Sequence, residues 1–255
     1  MTPIKTWILA ALVAIAGCGK KDAGGPIKVA AAADLAFAFK EVGAAFENKT
    51  GHKVTFTFGS TGQLAKQISE GAPYDVFAAA NVSFVDEAVK AGACDETTKA
   101  MYARGRIVVW TKKSSGAAVA KLEDLTDARF VKIAIANPEH APYGKAAQQA
   151  LESVGIWETV KPKIVYGENV QQTLQFAQTG NTEASIAALS LAMVTEDGAY
   201  MLIDENLHKP INQAIVVCKH GSNAAVAKDF AAFVNSDEGR AIMKRFGFLL
   251  PGESV

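Results

Sequence analysis

The period of the apolar residues changes again and again along this chain, and that alternation limits the possible folds more than any other feature. "IKVAAA" (27–32) has the apolar, unbroken character of a buried strand. Leu35, Phe39, Val42 and Phe46 then recur at helical spacing, and Gly51 lies beyond the end. "KVTFTF" (53–58) is β-branched and aromatic, as strands are, and the short loop "GSTG" leads to a helix through Leu64 and Ile68. "YDVFAAA" (74–80) and a helix from Phe84 to Ala91 complete the series. Strand–helix–strand units of this kind close as right-handed crossovers into a parallel sheet covered on both faces.

A second series follows. "RIVVW" (106–110), "VKIAIA" (131–136), "KIVY" (163–166), "ASIAAL" (184–189) and "QAIVVC" (213–218) are strand-like, with helical stretches at 143–154 and 170–179. "VAKDFAAFVNSDEGRAIMKRFGF" closes the chain as two amphipathic helices. No internal repeat, low-complexity tract or proline-rich linker divides it. Two α/β lobes with more than one crossing fit better than two separate beads. The expected division is 27–107 with 214–255 for the first lobe, and 108–213 for the second.

The first residues belong to neither lobe. Lys5 precedes "WILAALVAIAG", which is too short for a comfortable membrane span and fits the apolar region of a secretory signal, 1–17. The run ends in "IAGC", which resembles the bacterial lipobox, where cleavage leaves a lipid-modified cysteine, here Cys18. The other reading is a signal cut further on, with Cys18 one of its small residues. The polar, glycine-rich 18–26 is the expected tether. Export permits a disulfide, and Cys94 and Cys218 allow one pairing; two buried thiols are the alternative. The 26 basic and 26 acidic residues balance, so no electrostatic case exists for nucleic acid.

Ligands of open α/β sheets bind where strands end and helices begin. Four such junctions carry suitable chemistry: "AAADL", "FGSTGQL", "NPEHAPYGKAA" and "YGENVQQTL". Each places small or polar residues where unsatisfied helix N–H groups bind anions. Each by itself is also what an ordinary capped turn looks like.

The stretches "VAAAADLAFAFKEVGAAFENKTGHKV", "FGSTGQLAKQISEGAPYDVFAAAN", "IANPEHAPYGKAAQQAL" and "TGNTEASIAALS" resemble the molybdate-binding periplasmic proteins of ABC importers, in the family's order and over essentially the whole mature chain. The resemblance implies a two-lobed type II periplasmic binding protein fold, each lobe a mixed, mostly parallel sheet flanked by helices. It implies a monomeric, extracytoplasmic protein that closes on molybdate or tungstate and delivers it to a membrane permease. It implies no cofactor, and no metal other than that of the bound oxyanion. By the same resemblance Thr61, with Ser60 beside it, supplies a hydroxyl, and Tyr143 and Val170 supply backbone N–H groups. A tyrosine that some relatives carry falls at about Ala188 and is missing.

Asp34 stands where the resemblance expects a serine. Facing the ligand ionised, it costs about 4 kcal/mol per charge pair at 4 Å and an effective dielectric near 20, and about twice that for a dianion. Three readings avoid the conflict. Asp34 caps its own helix through the N–H of Ala36 or Phe37; it faces the ligand and accepts a proton from it, which favours a protonated oxyanion such as hydrogen phosphate over molybdate or sulfate; or it binds a metal ion or a cationic ligand, as carboxylates do. A small organic acid is a further ligand for the same fold.

An enzyme is not expected; a hydrolytic enzyme on similar α/β lobes is the remote alternative, since no nucleophile–base set is visible. No GxSxG elbow or P-loop occurs, and His52, His140, His208 and His220 show no metal-site spacing. His140 is expected to be a loop residue bonded to backbone, Asp75 to bond loop amides, and Phe37, Phe39 and Phe46 to be core.

Overall fold

A computed structural model describes residues 25–253. The expected signal segment, Cys18 and all but the last two tether residues lie outside the described residues. Ten strands are present: β1 (Ile27–Ala32), β2 (Val54–Gly59), β3 (Val76–Ala79), β4 (Ala100–Gly105), β5 (Ile107–Lys112), β6 (Ile133–Ala136), β7 (Ile164–Gly167), β8 (Ala184–Ala188), β9 (Gly198–Leu202) and β10 (Ile211–Val217), all within the described residues. The helices are α1 (Ala38–Thr50), α2 (Thr61–Ser69), α3 (Val82–Lys90), α4 (Pro142–Ser153), α5 (Trp157–Val160), α6 (Val170–Gln178), α7 (Leu189–Ala192), α8 (Ala224–Val234) and α9 (Asp237–Arg245). None of them is long and apolar enough to cross a membrane.

The strands form two five-stranded sheets, ordered β2-β1-β3-β10-β4 and β7-β6-β8-β5-β9. In each, three parallel strands are followed by one antiparallel strand that has just crossed from the other lobe, β10 in the first sheet and β5 in the second. The chain therefore crosses twice, from Gly105 to Ile107 and between Leu202 and Ile211. Because β10 starts at Ile211, Gln213 lies in the first sheet.

Both faces of the first sheet are covered, and side chains alternate between two packing layers. Val29, Ala31, Val76 and Ile215 meet Phe39, Phe46, Phe230 and Met243 of α1, α8 and α9. Ala30, Phe77, Ala79 and Val216 face Leu64, Ile68, Val85 and Ala88 of α2 and α3. This two-sided burial explains why these strands show little polar alternation. Phe39 packs against Phe56, Tyr102 and Phe230 at centroid distances of 5.9–6.0 Å, so it is core, as is Phe46. Phe37 is not: it is 40% exposed, because it precedes α1 and falls outside the helical stripe.

The expected strands are present, and two more join them. β4 and β9 sit at the sheet edges, where half-exposed residues such as Met101, Tyr200 and Leu202 blur the apolar signal. Asp75 is buried, and its carboxylate accepts the N–H of Lys28 at 2.7 Å and of Asn223 at 2.9 Å. Cys94 and Cys218 are joined, which ties the loop after α3 to the end of β10 across 124 positions of sequence. A loop that long carries a large closure entropy, so replacing both cysteines by serine is expected to lower unfolding free energy by about 2–4 kcal/mol. Urea unfolding of C94S/C218S checks this; an unchanged midpoint would mean that native packing alone holds the two segments.

Candidate functional site

The carboxyl ends of the parallel strands of both sheets point at one another, and each is followed by a turn into a helix. A small cavity of about 10 Å³ lies where they meet, lined by Asp34, Ser60, Thr61, Ala80, Tyr143 and Val170 among others. That is close to the space one water molecule needs. All five residues expected at the site are thus brought to one place, although no two of their segments are neighbours in sequence.

Their environments differ. Thr61 opens α2, and its hydroxyl oxygen accepts the N–H of Ala80 at 3.2 Å, which leaves its own proton free to be donated. Tyr143 and Val170 lie in the first turns of α4 and α6, where backbone N–H groups have no intrahelical acceptor. Asn169 caps α6 by accepting from Gln171 and Gln172, both at 3.0 Å, so its side chain does not compete for the Val170 N–H. Three helix N-termini therefore converge on the cavity, each with a partial positive charge.

Ser60 is engaged across the cleft. Its hydroxyl donates to the His140 carbonyl at 2.7 Å and lies 2.8 Å from His140 Nδ1. With the hydroxyl proton on the carbonyl, the Nδ1–H tautomer completes the pair. The Gly62 N–H donates to the same carbonyl at 2.9 Å. A Cβ at Gly62 would lie 2.8 Å from that oxygen, so the close approach needs glycine. His140 therefore links the lobes through its ring and its carbonyl, where a loop residue bonded to backbone is expected from sequence.

Asp34 does not cap. Neither the short turn Ala33–Leu35 nor α1 has a side-chain cap, and the carboxyl accepts no hydrogen bond from Ala36 or Phe37. Its Oδ2 accepts from Gln213 Nε2 at 2.7 Å and from the Tyr143 hydroxyl at 2.9 Å. Gln213 is held in turn by Tyr102, whose hydroxyl donates to Oε1 at 2.7 Å. The Ser190 hydroxyl donates to the Asp34 carbonyl at 2.8 Å. One donor across the cleft and one from a crossing strand take the carboxyl in place of the local N–H groups, and the cap reading is corrected accordingly. Oδ1 is buried with no hydrogen-bond partner. Burial pushes the Asp34 carboxyl up to about 6, against the opposing pull of the Gln213, Tyr143 and own-backbone donors. Burial, together with the charge of Asp34, also pushes the Tyr102 and Tyr143 phenols up.

Tyr102, Gln213, Ser190 and the Tyr143 hydroxyl were not read from sequence as site groups. Gln213 carried one signal, a polar residue opening the otherwise apolar "QAIVVC". Gly105 carried none: a Cβ there would overlap the Tyr143 hydroxyl, so the crossing point leaves the slot that tyrosine fills.

The profile described as "Bacterial extracellular solute-binding protein" matches residues 27–249. The chain belongs to the bacterial extracellular solute-binding protein family. The molybdate-binding protein ModA of Rhodobacter capsulatus is 35% identical over 94% of this chain and 94% of its own. This solute-binding protein also superposes on the periplasmic molybdate-binding protein of Azotobacter vinelandii with a TM-score of 0.83, 28% identity, and coverage of 88% and 99%. The sulfate-binding protein SubI of Mycobacterium tuberculosis shares the fold at a TM-score of 0.75 and 14% identity, covering 89% of this chain and 88% of its own. The two mixed sheets flanked by helices are the type II periplasmic binding protein fold.

Two outcomes follow for this solute-binding protein. The unfolded carboxyl titrates near 3.8 and the folded one near 6, so the folded state binds the extra proton between them. Stability from neutral Asp34 is fully present below about pH 3.8 and is lost as pH rises through about 6, in total about 3 kcal/mol. Asp34→Asn is expected to match the parent below about pH 3.8 and to exceed its stability by up to that amount at pH 7.5, read by urea unfolding. The reverse trend would mean that the ionised form is the better satisfied one. Gly105→Ala is expected to expel the Tyr143 hydroxyl and favour open lobes, seen as a larger radius of gyration in small-angle scattering; an unchanged radius would show that the slot can yield.

Proposed function

We propose that this protein captures a tetrahedral oxyanion of the molybdate or tungstate class by closing its two lobes, and hands it to an ABC importer. The observation that carries the reading is the convergence of α2, α4 and α6 on one cavity, with the Thr61 hydroxyl and the Tyr143 and Val170 N–H groups as unclaimed donors. Tetrahedral oxyanions present acceptors in all directions, and donors from both lobes surround them only when the lobes meet. Ligand then favours the closed form by bridging both, as in hinge closure. The relatives named as molybdate-binding support the ligand class.

The finer parts of the reading come from the sequence. Cys18 is the proposed lipid attachment and 1–17 the signal, which places the binding lobes outside the cytoplasm on a tether. The functional division proposed is 27–107 with 214–255, and 108–213, the sheet strands themselves changing lobe at Ile107 and Ile211, working as a monomer. A metal ion held directly by Asp34 is the weaker reading, since among the described residues no three His, Cys, Asp or Glu side chains cluster to hold one. The relatives support a transport role over catalysis.

Differential scanning fluorimetry with molybdate, tungstate, sulfate, phosphate and divalent metals tests the reading, because stabilisation follows ligand concentration over Kd. Molybdate or tungstate at about 1 mM should raise Tm most. No shift with either, beside a clear shift with another ligand, would overturn the assignment. Thr61→Val should weaken molybdate binding by about 10- to 100-fold, the loss of one hydrogen bond to a charged group at 1.5–3 kcal/mol.

A further inference from the structure

We propose that Asp34 is the specificity-determining residue of the cleft and acts as a neutral carboxylic acid, its Oδ1–H donating to the bound oxyanion in place of the serine hydroxyl that the resemblance expects. The inference rests on the oxyanion reading above and deepens it. The complex then holds one proton shared between Asp34 and the ligand.

The hydrogen-bond geometry selects the atom. Oδ2 already accepts two donors, from Gln213 at 2.7 Å and Tyr143 at 2.9 Å. Both bonds are directed by their neighbours: Tyr102 donates to Gln213 Oε1, which turns the amide nitrogen toward Asp34, and that nitrogen also donates to the Tyr143 hydroxyl oxygen at 3.2 Å, which leaves the hydroxyl proton for Asp34. A proton arriving at this carboxyl therefore resides on Oδ1, the oxygen that has no partner. Asp34 lines the cavity and is 1% exposed, so that oxygen has neither solvent nor a protein donor to satisfy it. Ionised, it meets an oxyanion as acceptor against acceptor, with like charges. Protonated, it offers a second O–H from this lobe, beside that of Thr61.

The groups facing Asp34 leave it as the proton carrier. α4 contributes Tyr143, β4 contributes Tyr102 and β10 contributes Gln213; the two phenols are raised by burial and stay neutral, and the amide does not titrate. α7 contributes the Ser190 hydroxyl, which donates to the Asp34 carbonyl. From the loop before α4, His140 is held on Ser60. None of the residues lining the cavity is Lys or Arg. The proton has two equivalent sources. A dianion binds together with one proton from solvent, or a monoprotonated anion brings its own; either route yields the same complex, and release returns the proton. A site built this way loses affinity for dianions that arrive without a proton as pH rises.

Isothermal titration calorimetry with sodium molybdate tests the proposal, using the lobes and tether without the signal segment at pH 6.0 and 8.0. Two buffers of different ionisation enthalpy at each pH give the number of protons taken up. At pH 8.0 about one proton should enter per molybdate, with affinity falling close to tenfold per pH unit above the Asp34 titration. Asp34→Asn should take up none and bind molybdate with little pH dependence, its amide N–H replacing the acid; Asp34→Ser serves the same purpose should the asparagine variant fail to fold. His140→Gln should still take up the proton, whatever its affinity. Binding by the parent without proton uptake, or uptake that persists in Asp34→Asn and Asp34→Ser, would overturn the proposal. Binding of none of molybdate, tungstate, sulfate or phosphate would instead overturn the oxyanion reading on which it rests.

Discussion

The bond from the Tyr143 hydroxyl to Asp34 is the contact on which the closed arrangement turns. It joins α4 of the second lobe to the first strand-to-helix junction of the first lobe, and it ends on an atom that also receives Gln213 from a crossing strand. Cleft and hinge are thus wired to one carboxyl. Parting the lobes would strip Asp34 of Tyr143 and of the Ser190 donor to its carbonyl, and would readmit water. The protonation of Asp34 and the angle between the lobes are therefore linked quantities: what favours the neutral acid favours the buried, closed state.

The topology makes such wiring possible. Each sheet takes its antiparallel strand from the chain as it returns from the other lobe, so β5 and β10 are at once sheet strands and continuations of the hinge. Gln213 sits near the start of β10 and Gly105 at the end of β4, close to where the chain changes lobe. A polar side chain and a missing side chain at these places reach the cleft without any loop to carry them. Rigid strands on either side leave the crossing segments as the positions that absorb closure.

Much of this was legible from residue pattern. The strands of both sheets and the long helices follow from period, because burial on two faces makes parallel strands continuous apolar runs. β4 and β9 were not legible, since edge strands are partly exposed and their pattern is mixed. The five residues expected from sequence meet at one cavity because strand-to-helix junctions converge in such sheets, and a resemblance aligned them. Local preference failed at Asp34. Aspartate is among the best helix caps, yet tertiary donors from α4 and β10 took its carboxyl, and nothing within a few residues of Asp34 announces them. Tyr143 was expected for its backbone alone; its hydroxyl matters because Gly105, far off in sequence, leaves room for it.

The closed cleft is already well bonded, and this sets the terms for any ligand. Ser60 and Gly62 are committed to His140, and Tyr143 to Asp34, in a cavity of only about 10 Å³. A four-oxygen anion is larger than the single water for which the closed cavity has room. Accepting one requires the walls to move apart and some of these bonds to be exchanged for bonds to the anion. Affinity is then the difference between two bonded states, not the sum of new contacts, and a ligand with equal preference for both shifts nothing. The Thr61 hydroxyl and the helix N–H groups gain outright, because nothing in the closed protein competes for them. Ser60 gains little, exchanging one acceptor for another. Discrimination between oxyanions of similar shape consequently falls to the groups whose state changes on binding. Asp34 is the one among them whose charge can change.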